Sequence, residues 1–146
     1  MARLRWLWTD APHSVAVTSF QEWIISADAN CAAALKRWTL GVETATLVTR
    51  PLKVELGKCD VSGSSGAAVL VGGFTPFGAK TDVAPGTPGT PVVAQSFYVR
   101  LSVGHEKVTY AYEDEWVFIN TGVFLRVTNP TGNPTINVTF SCQWEE

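Results

Sequence analysis

From Ile136 to Glu145 the sequence alternates without a slip: Ile136, Val138, Phe140, Cys142 and Trp144 are interleaved with Asn137, Thr139, Ser141, Gln143 and Glu145. An extended chain sends successive side chains to opposite sides, so alternation sustained over this length describes a strand with one apolar and one wet face. A helix would scatter the same apolar groups around its whole circumference. The segment therefore demands a sheet, and the sequence is expected to finish inside it. The other residues have to supply the partner strands.

Most of them read that way. Val15, Val17 and Phe20 alternate with Ser14, Ala16 and Thr18, and Ile24-Ile25 follows a short polar break. Asp28-Ala29-Asn30 has turn chemistry. Residues 31–41 carry conflicting signals: alanines, a cap at Asn30 and a stop at Gly41 favour a helix. Alternation instead sets Ala34, Trp38 and Leu40 against Leu35, Arg37 and Thr39, with Lys36 as the exception, and the strand-like surroundings favour this second reading. Leu52, Val54 and Leu56 alternate with Lys53, Glu55 and Gly57 in a strand that opens after Pro51. Residues 60–66 form a Ser/Gly loop, and 67–71 are a short apolar run able to pair briefly. Further strands are expected at Phe97 to Val103, Val108 to Tyr112, Trp116 to Ile119 and Val123 to Val127. Glu113-Asp114-Glu115 and Asn120-Thr121-Gly122 are turns, and residues 129–134 are a hairpin loop.

Residues 72–91 differ in composition, being dense in glycine and proline, and regular structure is not expected there. Loops of such length are uncommon unless they have a function, and Phe74 and Phe77 argue against a purely solvated linker. The sum is about eight or nine short strands with regular turn signals and no helix. The fold class expected is all-β: one antiparallel β-sandwich domain over residues 1–146, jelly-roll-like, with a long Gly/Pro-rich loop at 72–91 and an N-terminal arm at 1–12. Strand order is not written in periodicity.

Composition narrows the way of life. Charged residues make up only 16% of the chain and apolar residues 46%, against roughly 25% charged in an ordinary soluble domain. With 6 Trp, 7 Phe and 3 Tyr, the chain has aromatics beyond core needs, and such residues serve as interface anchors. This is the composition of a protein that assembles. The net charge is −2 with both signs scattered, which argues against a direct nucleic-acid surface. No apolar run reaches the length of a helical membrane span, and none of signal-peptide length follows Arg3 and Arg5. Cys31, Cys59 and Cys142 lack metal-ligand spacing and read as reduced, buried thiols, with one disulfide plus a free thiol as the alternative. The sequon at Asn137-Val138-Thr139 lies inside the alternating strand and reads as coincidence.

No chemistry-bearing constellation emerges. Gly73 to Thr81 approximates a phosphate loop, but Ala79 is one residue too many and no helix follows to face the phosphates. His13 and His105 sit beside turn residues, and no signature links either to Cys31 or Ser64 as a nucleophile. Adjacent carboxylates at 113–115 point to alternate faces of an extended chain and cannot converge on calcium. The chain is thus expected not to be an enzyme, with no catalytic, cofactor or metal-binding residues. Exposed tryptophans as a sugar-stacking platform are the strongest rival binding idea. Arg3, Arg5, Trp6 and Trp8 crowd cations and aromatics ahead of the first clear strand; they form either an edge strand of the same domain or an arm reaching a neighbouring subunit.

In layout the chain resembles the small β-sandwich decoration, or cement, proteins that tailed bacteriophages place on their heads. The resemblance rests on Leu52-Lys53-Val54-Glu55-Leu56-Gly57, the loop holding Phe74-Thr75-Pro76, Glu115-Trp116-Val117-Phe118-Ile119, Gly122-Val123-Phe124-Leu125-Arg126-Val127 and the closing Phe140 to Glu146. The aromatic content of the first eight residues departs from it. The resemblance implies a homotrimeric jelly roll on the capsid surface of a virion, made in the host cytoplasm, that needs no cofactor. Its partner would be the major capsid protein, and its work would be to bridge capsid subunits against outward stress. Phe74 and Phe77 are then the expected contacts with the shell or a sister subunit, and Arg3, Arg5, Trp6 and Trp8 a second contact. The alternative within a virion is a tail or fibre-tip module that binds glycans.

Overall fold

The computed structural model describes residues 5–27, 32–45, 48–60, 69–70, 81–100, 104–119 and 122–146, with side chains over 7–27, 32–45, 48–60, 83, 85–100 and 122–146. The described residues form strands and no helix. In chain order these are β1 (Arg5–Thr9), β2 (His13–Val15), β3 (Phe20–Ala27), β4 (Ala32–Thr44), β5 (Leu52–Asp60), β6 (Val69–Leu70), β7 (Thr81–Pro85), β8 (Gly89–Val99), β9 (Gly104–Ile119), β10 (Gly122–Thr128) and β11 (Ile136–Glu145). One sheet has the order β6-β1-β11-β4-β9, with β2 also on β11; the other has the order β7-β3-β10-β5-β8. Pairing is antiparallel in both. Leaving aside β2, β6 and β7, the other eight strands counted along the chain lie in the orders 1-8-3-6 and 2-7-4-5. This is the two-sheet jelly roll, in which each sheet is assembled from distant parts of the chain.

The inner faces follow from alternation. Ile136, Val138, Phe140, Cys142 and Trp144 of β11, Leu52, Val54 and Leu56 of β5, and Val123, Leu125 and Val127 of β10 all enter one buried cluster. Aromatic contacts bridge the two layers. Trp23 of β3 lies 5.1 Å from Phe140 of β11, and Trp38 of β4 stacks on Phe97 of β8 at 5.8 Å. Buried asparagines close one end. Asn129 donates through Nδ2 to the carbonyls of Val15 and Pro134, while its backbone pairs with Ser19 and Thr18. These bonds tie the turn before β3 to the end of β10.

The structure corrects several expectations. Residues 32–41 do belong to a strand, β4, but Leu35 and Ala33 face the core together with Trp38 and Leu40. The β4 register on both neighbours breaks between Leu35 and Arg37, so Lys36 is the extra residue of a β-bulge that reverses the phase of the strand. On β9 the same break skips from Ala111 to Trp116; the acidic 113–115 segment is therefore an irregularity within one long strand rather than a turn between two. Secondly, the Gly/Pro-rich 72–91 segment is not all loop, since Thr81–Pro85 and Gly89–Val99 are strands. Both are the outermost strands of their sheet, a place where proline's missing N–H need leave no gap in the ladder. Thr90, at φ +43, and Pro91 fall in the bulge between Asp60 and Lys58.

Candidate interaction surface

The outer face of the β7-β3-β10-β5-β8 sheet is arranged in cross-strand rows. In one row Arg126 of β10 stands between Glu22 of β3 and Glu55 of β5. Its Nε donates to Glu22 Oε1 at 2.5 Å, its Nη1 lies 3.7 Å from Glu55 Oε2, and Lys53 Nζ reaches Glu55 Oε1 at 2.7 Å. Both carboxylates are buried, which is tolerable only because cations sit on them. The hydrogen bond and charge of Glu55 in turn hold the Lys53 ammonium above its usual pKa. The Arg126 guanidinium is also flanked by the rings of Phe124 and Phe20, at 5.4 and 5.6 Å, close enough for cation–π attraction.

The next row, Ile24, Phe124 and Gly57, is apolar and closed: Ile24 and Phe124 form a second buried cluster with Cys59, which stands opposite Gly122. Gly57 makes the room for it, since a Cβ there would lie 2.7 Å from the Phe124 ring and 2.0 Å from the Val92 carbonyl oxygen. Burial pushes the Cys59 thiol up to about 11, so it stays protonated. The row on the other side of the ion cluster is open. It runs Phe20, Thr128, Lys53, Tyr98, with Phe20 56% and Tyr98 66% exposed. Three strand steps of about 4.8 Å put the two rings roughly 14 Å apart.

Tyr98 belongs to β8, which ends the sheet. From Thr90 to Ser96 every residue of β8 is exposed, including Val92 at 63%, and no charged residue occurs between Val83 and Val99. Proteins ordinarily guard such an edge with lysine or other charges. Among the described residues the deterrents on β8 are Pro91 and the bulges opposite Leu56/Gly57 and Lys58/Asp60.

The residues singled out from sequence are distributed differently. Trp8, expected as an interface anchor, is 8% exposed and packs on Phe140 at 6.3 Å; it is part of the chain's own core. Its strand, β1, is not a loose arm but pairs Arg5 with Glu145 and Trp6 with Trp144 of β11. Arg3, Phe74 and Phe77 lie outside the described residues, as do Cys31, Ser64 and the phosphate-loop-like stretch up to Lys80. Trp23, Trp38 and Trp144 are wholly buried, which removes them, together with Trp8, from any sugar-stacking surface. His13 meets Asp10 at 2.5 Å, and the same Asp10 Oδ2 accepts from Trp23 Nε1 at 2.8 Å, so this pair seats a core tryptophan. Cys59 and Cys142 are free and buried, one on the outer face of its sheet and the other in the central core. Among the described residues no group of three His, Cys, Asp or Glu side chains could hold a metal.

No protein-family model matches the chain, and no curated protein does. Among solved structures it is similar to the VP2 protein of infectious bursal disease virus. Derived T=1 particles of that virus align at 12% identity over 97% of this chain and 40% of theirs, with a TM-score of 0.27. The VP2 subviral particle aligns at 13% identity over 97% of this chain and 41% of that one, again at 0.27. The chain spans about two-fifths of the length of the VP2 chains it matches.

Chemically, the surface is suited to contact. Rigid rings, an uncharged strand edge and a self-neutralised ion cluster give an interface area that need not strip bare charges of water when covered. Sequence reasoning missed Phe20, Tyr98, Val92 and Val93. The absence of charge between Val83 and Val99 was the available signal for the last three.

Proposed function

We propose that this chain is a structural protein of a virus particle and, within that role, a capsid decoration protein. It seats on an icosahedral shell as a homotrimer, touches the major capsid protein and stabilises the shell by contact area rather than by chemistry. The observation that carries this reading is the unguarded β8 edge on a jelly roll: a long exposed strand without charge invites main-chain pairing or apolar contact with another protein. A stable specific interface buries about 1,200–2,000 Å² in total, and a strand edge with the neighbouring Tyr98 row supplies a natural centre for one. Phe74, Phe77, Arg3, Arg5 and Trp6 remain in this reading as further contacts.

The test is the mass of the purified protein by light scattering, with co-sedimentation against shells that lack it. We expect a trimer that pellets with shells, and a Val92→Lys/Val93→Lys double variant that keeps its circular dichroism and melting temperature yet pellets at least tenfold less. A monomer that ignores shells, or a double variant that pellets like the parent, overturns the reading. Closed shells formed by the protein alone would make it a shell subunit instead, a role jelly rolls also fill.

A second reading, a tail or fibre-tip module binding a glycan, is favoured by the exposed Phe20 and Tyr98 rings in one row. It requires saturable glycan binding that Tyr98→Ala abolishes.

A further inference from the structure

At the end of the sandwich where β4 leads into β5, Val48, Thr49, Arg50, Pro51 and Arg100 line a cavity of about 140 Å³. Two arginines share it, and among the described residues no carboxylate lines it. Their proximity follows from the ladder. Leu52 pairs with Val99, so the next antiparallel step sets Pro51 beside Arg100, with Arg50 adjacent.

Arg50 is held in place from behind. Its N–H donates to Asn133 Oδ1 at 2.9 Å, and Asn133 Nδ2 donates to the Arg50 carbonyl at 2.9 Å. Asn133 is itself buried. Gly132, at φ +94, takes a backbone conformation that favours glycine, and the Arg50 side chain packs against it, its Nε 3.6 Å from where a Cβ would stand. The Thr49 hydroxyl is beside them, donating at 3.4 Å to the Gly132 carbonyl. The ion pairs of the described residues include neither guanidinium.

Guanidinium groups cannot shed their proton, so two of them on one cavity repel; both are exposed, so water screens the repulsion, but among the described residues no carboxylate answers it. Each presents a planar fork of donors that fits an oxyanion bidentately. A carboxylate would neutralise one charge and leave the other; a doubly charged tetrahedral oxyanion answers both. We propose that the Arg50–Arg100 cavity is a binding site for a phosphate-class dianion, either inorganic phosphate or the terminal group of a phosphate monoester. The site is independent of the virion reading and stands or falls without it.

The experiment is a calorimetric titration of the full chain at pH 7.5 and constant ionic strength with inorganic phosphate, a simple alkyl phosphate monoester and acetate. It is accompanied by amide chemical shifts. Saturable binding of phosphate or the monoester is expected, at least tenfold tighter than acetate, with shifts centred on Thr49, Arg50 and Gly132. Tighter binding of the monoester identifies an esterified ligand, and equal or tighter binding of inorganic phosphate identifies the free ion. Arg50→Gln and Arg100→Gln should each weaken binding tenfold or more, with an unliganded melting temperature at or above the parent's because the repulsion is gone. Arg100→Lys, which keeps the charge and loses the fork, should fall between. Acetate binding as tightly as phosphate, shifts elsewhere in the molecule, no saturation in the parent, or undiminished binding in the Gln variants would each overturn the assignment.

Discussion

Gly57 and Gly41 are both strand glycines, yet their surroundings predict opposite responses to a methyl group. A Cβ at Gly57 would collide with the Val92 carbonyl and the Phe124 ring, whereas at Gly41 its nearest neighbours, both on Thr139, are 3.8 Å away. Gly57→Ala should destabilise by about 1–3 kcal/mol through overpacking, and Gly41→Ala should be neutral or stabilise by about 0.4–1 kcal/mol by restricting the unfolded chain. Urea unfolding of the two variants measures both. Cys59 predicts a pH dependence. Burial raises its thiol from 9.0 to about 11, so its stabilising contribution is complete below pH 9 and is lost as the pH climbs toward 11. The decline is at most about 1.4 kcal/mol per pH unit for one thiol. Cys142 is pushed up more strongly, also by burial, and acts in the same direction. Unfolding curves at pH 8, 9.5 and 11 should therefore fall less steeply for Cys59→Ala than for the parent. Cys59's burial was readable only loosely from its residue type; the reason for it, a closed cluster on the outside of a sheet, depends on Phe124 and Ile24 arriving from two other strands.

At the level of elements, β4 shows where a sequence pattern is complete and where it misleads. Its alternation from Trp38 to Val42 is regular and the strand forms there, but one inserted residue, Lys36, returns Leu35 to the core side. Because the side-chain period of a strand is two, a single-residue slip exchanges faces for everything beyond it. Deleting Lys36 should turn Ala33 and Leu35 outward and cost on the order of 3 kcal/mol or more, comparable to truncating a buried leucine. Thermal unfolding followed by circular dichroism tests this, and a deletion variant as stable as the parent would mean that the bulge does not set the phase. The edge strands β7 and β8 were hidden for a different reason. Proline and glycine predict loops because they weaken a ladder from within, but at the margin of a sheet the N–H of every second residue points away from the neighbouring strand and its loss costs little. Only the position of a strand in its sheet distinguishes these cases.

Across the whole molecule, residues near the two ends of the sequence pair with one another: β1 lies on β11, Trp6 opposite Trp144, and Trp8 closes over Phe140. Removing residues 1–9 should cost about 3–5 kcal/mol, the range for losing a buried tryptophan. Since one buried cluster spans both sheets, tryptophan fluorescence and circular dichroism should unfold together in the truncated and parent proteins alike. Separate transitions would show that the sheets are not one unit. The amino-acid sequence by itself determined that this is an all-β chain and which faces of β5, β10 and β11 turn inward, because alternation is a local property that each segment states alone. It did not determine that the strands close in the orders β6-β1-β11-β4-β9 and β7-β3-β10-β5-β8, that Trp8 is core, or that Phe20, Tyr98 and the β8 edge are left in solvent. Those outcomes were decided by the tertiary structure, since pairing joins segments far apart in sequence and exposure depends on which strand comes last in its sheet.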